Sequence, residues 1–173
     1  MTDLFAHQLR LDQLRDGERI DLAADDAELK AIARRLGIEA LDRLEAHAIL
    51  SKAGETVRAE GRLTASLAQS CVVTGEPVAT HVDEPFEILF MPEPPVSSPD
   101  AEIELGAADC DVVFHDGATI DLGTAIADTL ALSVDPYPRS AGADAALKEA
   151  GVISEAEVSP FAILAKLRKT DET

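Results

Sequence analysis

Two neighbouring stretches set the pattern of the chain. From Ile38 to Leu50 the apolar residues settle onto every second position, with Leu44, Ala46, Ala48 and Leu50 on one side and Arg43, Glu45 and His47 on the other. The following run is cleaner still. Val57, Ala59, Gly61, Leu63, Ala65 and Leu67 alternate with Arg58, Glu60, Arg62, Thr64 and Ser66. Successive side chains of a strand point to opposite faces, so a period of two with one polar set predicts antiparallel strands with one wet face. The Ala-Gly-Glu-Thr between them is a turn.

The flanks are shorter and more mixed. Phe5 to Leu11 alternates loosely and predicts a first strand, with Asp16-Gly17 as a turn and "ERIDLAA" as its partner strand. Asp25 or Asp26 can cap a helix that runs to Leu36 and closes on Gly37, since Leu29, Ile32, Ala33 and Leu36 fall at helical spacing. Beyond Leu67 the count of two carries Cys71 and Val73 onto the apolar face. Thr74-Gly75-Glu76-Pro77 turns the chain. Val78 to Val82 and Phe86 to Phe90 predict strands broken near Asp83-Glu84-Pro85.

"MPEPPVSSPD" has four prolines in ten residues and predicts a loop. Asp111 to His115 is a short strand. Asp121 can cap a helix carrying Leu122, Ala125, Ile126, Leu130 and Val134, which must stop at "DPYPR" because Pro136 and Pro138 cannot continue it. Residues 139–158 are Ala- and Gly-rich and are expected to form a mobile linker with a short helix at "DAALKEAG". Ser159 and Pro160 then open a terminal helix, 159–173, with Phe161, Leu164 and Leu167 as its apolar stripe. The expected architecture is α+β: one domain over 1–138, a curled antiparallel sheet with two to three covering helices, and a peripheral C-terminal helix.

Composition narrows the function. Apolar residues make up 46% of the 173, enough for a core, but aromatics only 3%. That core must be aliphatic, and stacking platforms for single-stranded nucleic acid are not supplied. No run approaches the ~20 apolar residues that span a bilayer. The N-terminal stretch is charged throughout and has no signal-peptide core, so a cytoplasmic protein without membrane contact is expected. Of the net charge of −18, the tract from Leu63 to Pro138 carries −14, with fourteen acids and not one Lys or Arg. Tracking a phosphate backbone takes cations that displace counterions, so this tract is not expected to bind RNA. It can draw in a basic protein by long-range steering.

Cys71 and Cys110 are the two candidates for thiol or metal chemistry. Neither has a cysteine at the short spacing that zinc sites use, and His81 and His115 would have to complete a set from unrelated positions. A catalytic thiolate needs a cation or a helix N-terminus beside it, whereas Cys71 lies in the cation-free tract and Cys110 stands between Asp109 and Asp111. Both settings oppose activation, and a buried inert Cys71 is expected. No nucleotide-binding glycine motif and no serine-nucleophile motif is present. The candidate contact residues are therefore Tyr137 and Arg139 at the helix stop, and Phe161, Leu164, Lys166, Leu167 and Arg168 on the terminal helix.

Three stretches in order, "SCVVTGEPVATHV", "IDLGTAIADTLALSVDPYPR" and "SPFAILAKLRK", resemble the bacterial YceD family, the large ribosomal RNA subunit accumulation proteins. The resemblance covers roughly Leu63 to Lys169 by order and spacing. It implies a ribosome-biogenesis factor that supports accumulation of 23S ribosomal RNA. Many relatives carry C-x-x-C at the turn, where this chain has Cys71-Val-Val-Thr74, so no metal is expected here. The expectation is a factor with no catalytic residue and no cofactor, engaging a basic ribosomal or rRNA-processing protein. Two alternatives stay open: an RNA-binding factor using Arg34, Arg35, Arg43, Arg58 and Arg62, and a thiol enzyme using Cys71 or Cys110.

Overall fold

A computed structural model describes residues 5–93 and 111–152. In chain order the elements are β1 (Gln8–Arg10), β2 (Glu18–Ala23), α1 (Asp26–Leu36), β3 (Ala40–Ala53), β4 (Thr56–Ser70), β5 (Pro77–Pro92), β6 (Val112–His115), β7 (Thr119–Asp121), α2 (Leu122–Ser133) and α3 (Ala143–Glu149). The class is α+β. The chain divides into two compact units, one of Met1–Gln69 with Ala79–Pro136, the other of Ser70–Val78 with Tyr137–Thr173.

The first unit is built on the β3–β4 hairpin. Its two-residue turn, Gly54-Glu55, has Gly54 at φ 66. A positive φ at the first central position matches the right-handed twist of the flanking strands and is open to glycine without strain. From Leu44 to Leu50 across the hairpin's buried face each leucine meets an alanine, Leu44 facing Ala65, Ala46 facing Leu63 and Leu50 facing Ala59, while Ala48 faces Gly61. Asp42 is an extra residue, and the register shifts between Leu41 and Arg43. The bulge explains why Leu41 and Leu44 are both buried although three positions apart.

β2 adds to β3 with Leu22 opposite Ala46, and the complete sheet runs β2-β3-β4-β5-β6. α1 begins at a capping box. The Asp25 side chain accepts from the Ala27 and Glu28 amides while Glu28 reaches back to the Asp25 amide. The helix ends on Gly37 at φ 66 and buries Leu29, Ile32 and Ala33 against the sheet. α2 buries Leu122, Ala125, Ile126, Ala127 and Leu130. Both helices meet one aliphatic core, to which β5 adds Phe86, Ile88 and Phe90, and Arg35 of α1 bridges to Asp128 of α2 at 2.5 Å.

The structure departs from the sequence expectations in four places. The sheet is open and mixed rather than curled and wholly antiparallel, because β6 joins β5 in parallel. The connection from Pro92 to Val112 is longer than the dozen or so residues a parallel crossover needs. The first strand does not pair with "ERIDLAA", whose Ile20 and Leu22 are used beside β3. Instead β1 pairs with β7, which the sequence offered only as a helix cap. There Asp121 Oδ1 accepts from both the His7 and Thr124 amides, at 3.0 Å each, tying β1 to the start of α2.

β5 is also unbroken through Asp83-Glu84-Pro85. Leu89 donates its N–H to Asp111 O on the β6 side, and Pro85 shares that parity at a level where β6 has not begun. The donor that proline lacks is one for which no partner strand exists. Finally, β4 stops at Ser70, so Cys71 is buried in the turn and not on a strand face. In the second unit the stretch expected as a linker contains, within its described part, the short helix α3. The 159–173 helix lies outside the described residues.

A Cβ at Gly61 would stand 1.9 Å from the His47 carbonyl oxygen and 2.9 Å from the Phe86 ring. Gly61→Ala should therefore destabilise the protein by about 3 kcal/mol, the upper range for overpacking. Asp25→Ala, which removes only a cap, should cost about 1 kcal/mol. Urea unfolding of the two variants checks both the sizes and their order.

Candidate protein-binding surface and the Cys71 turn

The outer face of the sheet gathers the arginines that an RNA-binding reading requires. Arg58 of β4 bonds Glu87 of β5 at 2.6 Å, Arg62 bonds Asp83 at 2.5 Å, and Arg43 bonds Glu45 at 2.6 Å. Arg34 and Arg35 are on the last turn of α1, where they complement the helix dipole, and Arg35 is paired with Asp128. Four of the five arginines thus have a carboxylate within ion-pair distance, and they are shared between the sheet and a helix. Such exposed pairs add little stability, but each cancels a cation that a phosphate would need.

Of the acids of the cation-free tract, Asp83, Glu87 and Asp128 are the ones these arginines take up. Every described acid of the tract except half-buried Asp121 is exposed. Asp116 accepts N–H bonds from Ala118 and Thr119 at 2.9 and 3.3 Å. Those amides hold its carboxyl below the usual aspartate range, against a smaller opposing effect of burial. Among the described residues, Asp111, Asp116 and Asp121 have no Lys or Arg paired to them.

In the second unit the β4–β5 turn folds around a sulfur. Cys71 Sγ accepts from the Val73 and Thr74 amides at 3.4 Å and from the Ser140 amide at 3.2 Å. Gly75 at φ 71 lets the turn close, with Gly75 N–H on Cys71 O and Cys71 N–H on Glu76 O. Val72 N–H donates to Pro138 O. The Thr74 hydroxyl lies 3.1 Å from Glu76 Oε2 and 3.2 Å from Ser140 Oγ. A hydrogen bond from the Thr74 side chain, opposed by burial and aided by the Ser140 and Thr74 amides, draws the thiol down to about 6.

The sequence reading had both cysteine settings opposing a thiolate. At Cys71 that expectation is corrected: the Thr74 hydroxyl, with the Ser140 and Thr74 amides, lowers the thiol pKa without a cation. No sequence signal marks the Ser140 amide as a donor, because it lies far along the chain. The thiol is only 3% exposed, so its expected burial holds. His81 spends Nδ1 on Ser66 Oγ at 3.4 Å on the sheet. Buried His115 spans Glu55 O at 2.9 Å and the Gly117 amide at 3.0 Å, which places its ring proton on Nε2. Both histidines thus have structural partners. One thiol and a threonine hydroxyl do not supply the Cys and His donors of a zinc site, and among the described residues no three His, Cys, Asp or Glu gather as metal ligands. Cys110 lies outside the described residues.

Of the candidate contact residues, Tyr137 is 72% exposed and Arg139 is bound to Asp144 of α3 at 2.5 Å. Phe161, Leu164, Lys166, Leu167 and Arg168 lie outside the described residues. No helix among the described residues is long and apolar enough to cross a membrane.

These features define an acidic α+β protein whose candidate contacts are exposed faces rather than an enclosed cleft. The chain matches the family model of the large ribosomal RNA subunit accumulation protein YceD over residues 59–168, and it belongs to that family. The match begins inside β4 and takes in the Cys71 turn, β5 to β7 and α2. No curated protein and no solved structure matches the chain.

The amide cradle makes a spectroscopic prediction. Thiolate absorbance near 240 nm should rise through about pH 6 in the native protein and lose that step in Cys71→Ser. Thr74→Val should move the step to higher pH. Because the folded thiol is the stronger acid, its contribution to stability is complete above the unfolded thiol pKa and is lost as pH falls through about 6. Cys71→Ser should accordingly flatten the stability profile between pH 9 and pH 6, roughly the interval those two values bound.

Proposed function

We propose that this protein supports accumulation of large-subunit ribosomal RNA as a non-catalytic cytoplasmic factor, holding a basic ribosomal or rRNA-processing protein on its acidic surface. The observation that carries this reading is the unequal neutralisation of charge. Arg43, Arg58 and Arg62 of the sheet are tied to carboxylates, while among the described residues Asp111, Asp116 and Asp121 have no Lys or Arg paired to them. A polycation gains by approaching such a surface, and a polyanion is repelled. The family supplies the process, accumulation of the large ribosomal RNA. Charge supplies the kind of partner.

A non-catalytic role fits the Cys71 turn. Its sulfur is ionisable near neutral pH, yet it is closed off and fully engaged with amides, so substrate cannot reach it without the turn opening. Its chemistry is that of an anchor between two chain segments.

Two measurements test the proposal. Immobilised protein should retain basic ribosomal or processing proteins from a nuclease-treated lysate at about 50 mM salt and lose most of them at about 500 mM, as exposed charges are screened. Cells lacking the protein should show a depleted large subunit on sucrose gradients. Retention of RNA alone, or an unchanged subunit profile, would sink it.

A further inference from the structure

The two edges of the five-stranded sheet are unlike. β2 carries Glu18, Arg19 and Asp21, charges of the kind that deter pairing with another chain. β6 is Val-Val-Phe-His, without Lys, Arg or Pro, and leaves Val113 38% and Phe114 50% exposed. Its main chain is only half used. Leu89 N–H donates to Asp111 O at 2.9 Å and Glu93 N–H to His115 O at 3.1 Å, in a parallel register that sets Leu89 opposite Val112. Asp111, Val113 and His115 therefore turn their peptide groups towards β5. Val112 and Phe114 present theirs to the open side.

Beside this edge, between β6 and α2, lies a groove of 280 Å³ over Phe90, Ile120 and Ala125, rimmed by Asp116, Asp121 and Asp128. A second hollow of 160 Å³ continues it past Val113 and Asp111 to Leu132. Among the described residues no Lys or Arg lines either. Arg35 takes up Asp128, which leaves Asp111, Asp116 and Asp121 as the groove's unneutralised charge. The amides of Ala118 and Thr119 keep the Asp116 carboxyl ionised.

We infer that β6 is the docking edge for an extended segment of a partner protein that mixes Lys or Arg with apolar residues. The segment's main chain pairs with Val112 and Phe114, its apolar side chains lie over Ala125 and Phe114, and its cations reach Asp111, Asp116 and Asp121. Strand addition fits better than helix docking, because main-chain bonds supply the affinity and neighbouring pockets the selectivity. The inference rests on the basic-partner reading above and gives that partner a place and a conformation.

The probe is a labelled Lys-Val-Lys-Val-Lys-Val-Lys peptide, titrated onto the full-length protein by fluorescence anisotropy. A Glu-for-Lys version and a version N-methylated at alternate residues serve as controls. The first peptide should bind and both controls should weaken binding about tenfold or more, the effect of losing a charge set or a hydrogen bond. Hydrogen exchange at the Val112 and Phe114 amides should slow when the peptide is added. Phe114→Pro removes an outward N–H at an edge where proline is tolerated, and Phe114→Lys adds a cation while keeping the N–H. Both should weaken binding, with melting curves showing that each variant is folded.

Equal binding by the N-methylated peptide, or unchanged exchange at those amides, overturns the inference. So does protection that grows with protein concentration in the absence of peptide, which would make a second copy the occupant. If both Phe114 variants still capture basic proteins from lysate in a salt-sensitive way, this edge is refuted and the basic-partner reading stands. If the unmodified protein captures none, that reading is the one that fails.

Discussion

The fold depends on a size-matched pairing across one hairpin. A chain with few aromatics must fill its interior with aliphatic side chains of limited reach, so the sheet surface has to come close to whatever covers it. The β3–β4 pair does this by setting a small residue against a large one at three of four successive inward levels and two small residues, Ala48 and Gly61, at the other. Gly61 is the extreme case. The absence of a side chain there lets the Phe86 ring and the β3 backbone occupy space that a single methyl would fill. The register of the hairpin, the position of β5 and the room for α1 follow from that one face. A slip of one residue would turn the whole apolar set outward and set the charged residues inward.

The outer face of the same hairpin is where charge is settled. Arg58 and Arg62 face Glu87 and Asp83 of β5 across the sheet, and Asp21 of β2 meets His47 of β3 at 2.6 Å. Charges of both signs there balance locally, as suits a solvated face. Around β6 and the start of α2, no Lys or Arg among the described residues pairs with Asp111, Asp116 or Asp121. The protein therefore separates a neutralised face from an acidic one within a single sheet, and it does so because all the Lys and Arg of the sheet lie N-terminal to Leu63.

Much of this was legible in the sequence. The period of two gave β3 and β4, and the caps at Asp25, Gly37 and Asp121 gave the helices, because those signals are local. The three stretches that carry the family likeness fall in the range that the family model matches, all but the final Lys169. What escaped was set by distant partners. The β1–β7 ribbon joins residues more than a hundred positions apart, and its strands are too short to show any periodicity. Pro85 looked like a strand break because sequence does not reveal which edge is bare. The parallel entry of β6 depends on a crossover with no pattern of its own. Cys71 was legible as buried but not as an acidic thiol, since the Thr74 hydroxyl and the Ser140 amide come to it only in the folded turn.

The Cys71 turn and the acidic edge obey one rule. Where no arginine from another segment reaches the tract, as Arg35, Arg58 and Arg62 reach Asp128, Glu87 and Asp83, main-chain N–H groups hold the anions, and the structure uses them repeatedly: Val73, Thr74 and Ser140 on the sulfur, Ala118 and Thr119 on Asp116, His7 and Thr124 on Asp121. A salt bridge and an amide cradle both satisfy a carboxylate, but they leave different fields behind. The salt bridge cancels the charge. The cradle orders it and leaves the net −1 facing solvent. Holding its acids by amides lets the β6 end of the protein be locally well bonded and still strongly anionic, and that combination is the field on which the proposed basic partner rests.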